Sequence, residues 1–95
     1  MFEWDPRKAK ANADKHGVPF DEAVSVFLDA DALDGSDLQH STQELRFRRL
    51  GRSAEGRILM VVYTQRRTDD AEPIRIISAR RASRQERSAY AQAGD

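Results

Sequence analysis

Six apolar residues follow one another without a polar interruption in the second half of the chain, from Ile58 to Tyr63. A strand exposed on one face alternates apolar and polar residues, whereas a strand covered on both faces is continuously apolar. We therefore predict that the segment Arg57–Arg66 is the central strand of a β-sheet and that the rest of the fold is built around it.

Further strands are predicted on both sides of this segment. Glu44–Gly51 precedes it and Pro73–Arg80 follows it, and both connections have the length of hairpin loops. Phe2–Trp4 is a short strand candidate at the start of the chain. The segment from residue 29 to residue 42 is rich in Asp, Ser and Gly and has little apolar periodicity, so we predict a surface loop there.

Three helices are predicted from their start and stop signals. Asp5 can cap the first helix, which continues to His16, is followed by Gly17 and offers only alanines for packing. The second helix is expected at Asp21–Leu28. A Ser-x-x-Glu capping box that begins at Ser83 opens the third helix.

The order of these elements predicts an α+β fold. Consecutive hairpins give an antiparallel sheet of three to four strands, with two N-terminal helices and one C-terminal helix on one of its faces. A chain of 95 residues is sufficient for one hydrophobic core, so residues 1–95 are predicted to form a single domain.

The composition excludes several classes of site and compartment. Cysteine is absent, which rules out disulfides, thiol nucleophiles and thiolate metal sites. The first residues have neither the basic leader nor the apolar stretch of a secretion signal, so a cytoplasmic protein is expected. We predict no metal site and no cofactor, because the aspartates between residues 29 and 37 lack the pattern of a calcium loop and the two histidines, His16 and His40, are far apart.

The charge of the chain is unevenly distributed. Residues 1–44 contain four Lys or Arg and ten Asp or Glu, a net charge of −6, whereas residues 45–95 contain twelve Arg and six acids, a net charge of +6. A solvated surface explains charge of this kind equally well. However, the planar guanidinium binds phosphate oxygens in pairs, so a basic half made only of arginine favours a nucleic acid partner.

The strongest chemical signal is the pair Arg80 and Arg81, which follows a buried strand and precedes a helix cap. Together with the positive end of that helix, the pair could hold a phosphate. Alternatively, the arginines form ion pairs with acids such as Glu86. Tyr90 follows about two turns into the same helix.

His16 and Lys15 lie at the C-terminal end of the first helix candidate. A cation in this position commonly caps the helix, and a histidine in a groove can also carry a proton. The sequence leaves both interpretations open.

Taken together, the motifs resemble those of the BrnT-type toxins of bacterial toxin-antitoxin systems. The resemblance covers nearly the whole chain, in order and spacing. It is carried by Phe2-Glu3-Trp4-Asp5-Pro6, Lys15-His16-Gly17-Val18, Phe20-Asp21-Glu22-Ala23, Leu50-Gly51-Arg52-Ser53, Ile76-Ile77-Ser78-Ala79-Arg80-Arg81-Ala82 and Glu86-Arg87 with Tyr90.

This resemblance implies a RelE-like fold, a ribonuclease that blocks translation, and neutralisation by a BrnA-like antitoxin with a ribbon-helix-helix DNA-binding part. Operator DNA would then be contacted only through the antitoxin complex, and no membrane is involved. Metal-independent RNA cleavage needs cations at the phosphate, a proton acceptor and a proton donor. The residues predicted for these roles are Arg80, Arg81, His16 and Tyr90 as catalytic groups, and Lys15, Arg46, Arg48 and Ser78 as RNA-binding groups.

Two other classes of function remain compatible with the same residues. One is a nucleic-acid-binding module without catalysis, in which the arginines form only an electrostatic footprint. The other is a protein-interaction domain whose arginines pair with an acidic partner.

Overall fold

The computed structural model describes residues 1–37, 45–65 and 73–94, so the predictions for Glu44, His40 and the second hairpin loop lie outside the described residues. The described residues contain three α-helices and five strands, and a 3-10 turn, Val26–Leu28, extends the second helix. The helices are α1 (Pro6–His16), α2 (Phe20–Ser25) and α3 (Arg84–Ala93). The strands are β1 (Phe2–Glu3), β2 (Leu33–Ser36), β3 (Arg46–Arg52), β4 (Ile58–Thr64) and β5 (Ile74–Arg81).

The sheet has the order β1-β5-β4-β3-β2, with the continuously apolar β4 at its centre as predicted. The strands from β2 to β5 pair antiparallel, but β1 pairs parallel with β5, with Phe2 opposite Ile74. The α+β class is confirmed, whereas the prediction of a purely antiparallel sheet of three to four strands is wrong. The sheet is mixed because β1 comes from the other end of the chain and runs in the direction of β5.

The additional strand, β2, lies within the segment predicted to be a loop. All four of its residues are exposed, so its sequence has no apolar period that could indicate a strand. Backbone pairing with β3, from Leu33 opposite Leu50 to Ser36 opposite Phe47, holds it at the edge of the sheet. This pairing between distant segments leaves no local signal in the sequence.

The two faces of the sheet are covered by different helices. Alternation along β4 directs Leu59 and Val61 to one face, where they form the main core with residues of α2. Met60 points to the other face and packs with Leu50 and with Tyr90 of α3. We call this second face the α3 face. The prediction that all helices lie on one face is therefore wrong, because the apolar residues of β3 and β4 on the α3 face also need cover.

The ends of α1 and α3 agree with their predicted caps. The Asp5 carboxylate accepts a hydrogen bond from the backbone N–H of Arg7 at 2.8 Å, and Gly17 ends α1 with a φ of 70°. Ser83 and Glu86 form the predicted capping box at the start of α3. Within the described ranges, no helix combines the length and apolar character needed to span a membrane.

Candidate functional site

The α3 face carries a concentration of arginines on β3. Arg46 lies opposite Thr64, Arg48 opposite Val62 and Leu50 opposite Met60, so alternate residues of β3 share this face. Leu50 is buried beneath α3, whereas Arg48 is exposed. Strand β3, which was predicted as Glu44–Gly51, therefore presents Arg48 to solvent beside α3.

Strand β5 adds two more of the predicted residues to the same face. Ser78 lies opposite Val62, and Arg80 lies opposite Met60. Half-buried Val62 is thus flanked by Ser78 on one side and by Arg48 on the other. The structure brings together four predicted site residues on the α3 face: Arg46, Arg48, Ser78 and Arg80.

The guanidinium of Arg80 pairs with the carboxylate of Glu86. Nη1 donates to Oε1 at 2.7 Å and Nη2 donates to Oε2 at 2.9 Å. This hydrogen bond holds the pKa of Glu86 at about 2, so the pair stays ionised at neutral pH. The ion pair considered as the alternative interpretation is therefore present. The Arg80 side chain is nevertheless 42% exposed.

Tyr90 also lies on the α3 face, but its hydroxyl is engaged. It donates to Oδ2 of Asp29 at 2.6 Å, while the Arg52 guanidinium lies 5.8 Å from the centre of its ring. The hydrogen bond to Asp29, together with burial, raises the pKa of Tyr90. The phenol consequently keeps its proton and anchors α3 to the chain segment that precedes β2.

The other predicted residues lie away from this face. Arg81 is paired with Leu59 and so points to the face that carries α1 and α2. The pKa of Glu22 is lowered mainly by its hydrogen bond from Arg57 and also by the charge of Arg81, which places Arg81 near α2. His16 and Lys15 form the last turn of α1. Hence the predicted catalytic set is divided between two faces of the sheet.

Two arginines of the basic half are committed to structural contacts. Arg57 binds the Glu22 carboxylate through Nε and Nη2 and also donates to the carbonyl of Gly17 at 3.1 Å. Arg49 uses all three of its nitrogens, two on backbone carbonyls and one on Asp34 at 2.6 Å. Both guanidiniums are held by contacts within the protein, which the sequence alone did not indicate.

Asp29 also belongs to this site, although nothing in the sequence indicated that it is the hydrogen-bond partner of Tyr90. It is a hydrogen-bond acceptor for Tyr90 and for the backbone N–H of Arg52, and these contacts lower its pKa although burial opposes them. Tyr90 is 61 residues away in the chain, so no local pattern connects the two. In the described residues, no three side chains of the metal-binding types converge on one point.

Comparisons with known proteins agree with this architecture. The family model described as "Ribonuclease toxin, BrnT, of type II toxin-antitoxin system" matches residues 4–86. The crystal structure of the Brucella abortus ribonuclease toxin BrnT is similar, with a TM-score of 0.64 and 26% sequence identity, over 88% of this chain and 99% of that chain. No curated protein sequence matches the chain.

Proposed function

The chain belongs to the family of BrnT ribonuclease toxins of type II toxin-antitoxin systems, and from this premise we propose that it is a metal-independent endoribonuclease that cleaves cytoplasmic RNA and so inhibits translation. The observation that carries the proposal is the grouping of arginines on the α3 face. Arg48 and Arg80 lie on either side of the strand that carries Val62. Cations in this arrangement can bind a phosphate and stabilise the charge that develops on it.

The reaction requires little beyond these charges and two proton transfers. The ribose 2′-oxygen forms a bond to the adjacent phosphorus, and the bond from phosphorus to the 5′-oxygen breaks. The products are a 2′,3′-cyclic phosphate and a free 5′-hydroxyl. The base takes the proton from the 2′-hydroxyl and the acid delivers one to the 5′-oxygen. A guanidinium stays protonated, so Arg80 stabilises charge and other groups move the protons.

Tyr90 or His16 is the group proposed for proton transfer. Tyr90 shares the α3 face with Arg80, and its phenol carries the proton that a donor to the leaving oxygen must supply. His16 lies at the end of α1, which packs on the opposite face of the sheet, so it is out of reach of a phosphate bound by Arg80, and of the two groups Tyr90 is the one we retain for this site. We assign Arg81, which points to the opposite face of the sheet, and Lys15, in the last turn of α1, to phosphates further along the RNA.

The partner implied by the family is an antitoxin, and we propose a BrnA-like protein with a ribbon-helix-helix DNA-binding part. Its acidic residues would cover the arginines of the α3 face and exclude RNA. Contact with operator DNA would then be made by the antitoxin within the complex. The charge of Arg48, which is exposed, supports this mode of inhibition.

The test is incubation of the purified protein with end-labelled RNA in excess EDTA. A metal-independent ribonuclease produces new ends that carry 2′,3′-cyclic phosphate, whereas a binding module only retards the RNA in a gel. Arg80→Ala should lower the rate about 10²- to 10³-fold with an unchanged circular dichroism spectrum, because it removes a charge-assisted contact to the transition state. Intact RNA with wild-type protein, or an effect of Arg80→Ala below threefold, would contradict the proposal.

A further inference from the structure

The hydrogen bonds of Arg80 use only part of its guanidinium. A guanidinium has five N–H donors. Both N–H groups of Nη1 donate hydrogen bonds, one to Oε1 of Glu86 and one to the carbonyl of Arg81 at 3.3 Å. One N–H group of Nη2 donates to Oε2 of Glu86. The Nε–H and the second Nη2–H have no acceptor among the residues that the structure describes.

These two remaining donors lie on one edge of the guanidinium and point in the same direction. The two N–H donors of such an edge match the spacing of two oxygens on a phosphate, just as they match the two oxygens of a carboxylate. Glu86 binds the end of the guanidinium, formed by Nη1 and Nη2, and therefore leaves the edge formed by Nε and Nη2 open. Pairing with Glu86 and binding of a phosphate are compatible on the same side chain.

We propose that Glu86 is a positioning residue, which holds Arg80 so that its Nε–Nη2 edge faces a phosphodiester of the RNA on the α3 face. This inference rests on the proposed ribonuclease function. It assigns Glu86 no contact with the substrate. Its role is to fix the orientation of the arginine that makes the contact.

Arg57 provides the contrast within the same molecule. It binds Glu22 through Nε and Nη2, the edge that Arg80 leaves free, and its side chain is 28% exposed against 42% for Arg80. The ion pair of Arg57 therefore joins α2 to the residue before β4, and within the described residues the further hydrogen bond of Nη2 to Gly17 leaves free donors on Nη1 alone, so no edge with a free donor on each of two nitrogens remains. The two arginines have similar carboxylate partners but differ in which edge of the guanidinium the partner occupies.

Glu86 is itself held in place by the start of α3. Its Oε1 accepts a hydrogen bond from the backbone N–H of Ser83 at 2.8 Å, and its own N–H donates to the Ser83 hydroxyl at 3.2 Å. The backbone N–H of Ser83 fixes the carboxylate, and the carboxylate fixes the guanidinium. A side chain held at both ends in this manner keeps its orientation before the substrate arrives, which is a condition for efficient charge stabilisation.

The experiment compares Glu86→Ala with Ser83→Ala, because both variants remove one half of the same capping box. Glu86→Ala frees Arg80 but leaves its charge, so we expect kcat to fall by about 10- to 100-fold with KM within about threefold of wild type. Ser83→Ala leaves the pairing of Glu86 with Arg80 and should change both constants by less than threefold. Thermal unfolding of both variants measures their stability loss.

A double-mutant cycle with Arg80→Lys gives a second, independent readout. Lysine keeps the charge but lacks the fork, so Glu86→Ala should have almost no further effect on kcat in the Arg80→Lys background. Fully additive effects, or equal kcat losses in Glu86→Ala and Ser83→Ala, would overturn the positioning role while leaving the ribonuclease function intact. Wild-type protein that leaves RNA uncut would overturn both, and the two failures are therefore distinguishable.

Discussion

At the scale of single residues, Asn12 supports the edge of β5 in place of a neighbouring strand. Its amide nitrogen donates to the carbonyls of Val18 at 3.0 Å and Ala79 at 2.8 Å, and its oxygen accepts from the N–H of Ala79 at 3.1 Å. Strand β1 pairs only with Ile74 and Arg75, so it does not reach Ala79. Helix α1 was expected to pack only alanines. Its buried Asn12 instead satisfies the hydrogen-bonding groups of the β5 backbone at Ala79.

Replacement of this residue should be costly. In Asn12→Ala the N–H and carbonyl of Ala79 lose their partner in a buried place, and each such group costs about 1 to 3 kcal/mol. We expect the free energy of unfolding in urea to fall by about 2 to 4 kcal/mol. Lys10→Ala on the same helix is the control, since its ion pair with Asp14 is exposed and should contribute less than about 1 kcal/mol. Equal losses in the two variants would contradict this explanation.

Glu22 should make the stability of the protein depend on pH. Its hydrogen bond from Arg57 lowers its pKa in the folded state below the ordinary value of 4.5. A depressed carboxylate pKa adds stability that is complete above the unfolded-state value and is lost as the pH falls through the folded-state value. Glu22→Gln should therefore be less stable than wild type at pH 7, and the difference should shrink below about pH 4.5.

Urea unfolding of both proteins between pH 3 and pH 7 measures this dependence. Asp14→Asn, which removes an exposed carboxylate, should remain close to wild type throughout the range. A difference between wild type and Glu22→Gln that stays constant across the range would show that the ion pair does not act through the ionisation of Glu22.

The sequence predicts the local part of the site better than its distant contacts. The pairing of Arg80 with Glu86 could be considered from the sequence because six residues and one helix cap separate the two. The pairings of Arg57 with Glu22 and of Tyr90 with Asp29 span 35 and 61 residues and depend on how the elements pack. The sequence does not indicate the partner of an arginine that pairs with a distant residue. It therefore could not show which guanidiniums have free donors for a ligand.

At the scale of elements, α3 is held to the sheet by the side chain of Tyr90. Its ring packs with Leu50, Met60 and Ala82, and its hydroxyl is fixed by Asp29. The phenol could therefore act as an anchor, as a proton donor to RNA, or as both. Tyr90→Phe separates these roles because it keeps the ring and removes only the hydroxyl.

The two roles predict different measurements for Tyr90→Phe. Loss of the hydrogen bond to Asp29 should cost about 1 kcal/mol of stability and speed hydrogen exchange in α3 more than in α1. Loss of a proton donor should in addition lower the cleavage rate about 10²- to 10⁴-fold and remove one limb of the pH–rate profile. Faster exchange with an undiminished rate of cleavage would assign Tyr90 to structure alone and transfer the proton-donor role elsewhere.

Elements were predicted correctly where their signals are local. The caps of α1 and α3 and the apolar run of β4 act within a few residues, and the structure has these elements where they were expected. Strand β2 depends entirely on pairing with β3, and the position of α3 depends on which apolar side chains the other helices leave uncovered. A further irregularity, the register shift at Val62 and Tyr63, also has no sequence signature.

At the scale of the whole molecule, the proposed antitoxin and the RNA are expected to compete for the same arginines of the α3 face. The net charge is −6 in residues 1–44 and +6 in residues 45–95, and on the α3 face Arg48 is exposed. Complementary charge raises association rates above the roughly 10⁵ to 10⁶ M⁻¹s⁻¹ of neutral partners, and salt screens this advantage. We therefore expect stopped-flow association with the antitoxin to slow as the ionic strength rises.

Arg80→Glu tests the location of this interface. Reversal of one charge on the α3 face should slow association more than Arg7→Glu, which changes an exposed residue of α1 on the other side of the sheet. A rate that does not depend on salt, or equal effects of the two reversals, would place the antitoxin on another surface.

The parallel pairing of β1 with β5 also determines when the fold can be completed during synthesis. Phe2 must wait for Ile74, a partner 72 positions later in the chain, and closing so long a loop is slow compared with forming local hairpins. Strand β1 is therefore the first strand to be synthesised and is expected to be among the last to pair with the sheet. Because Arg80 belongs to the strand that pairs with β1, we expect the sheet to close and the arginine proposed to bind phosphate to be positioned at the same late stage.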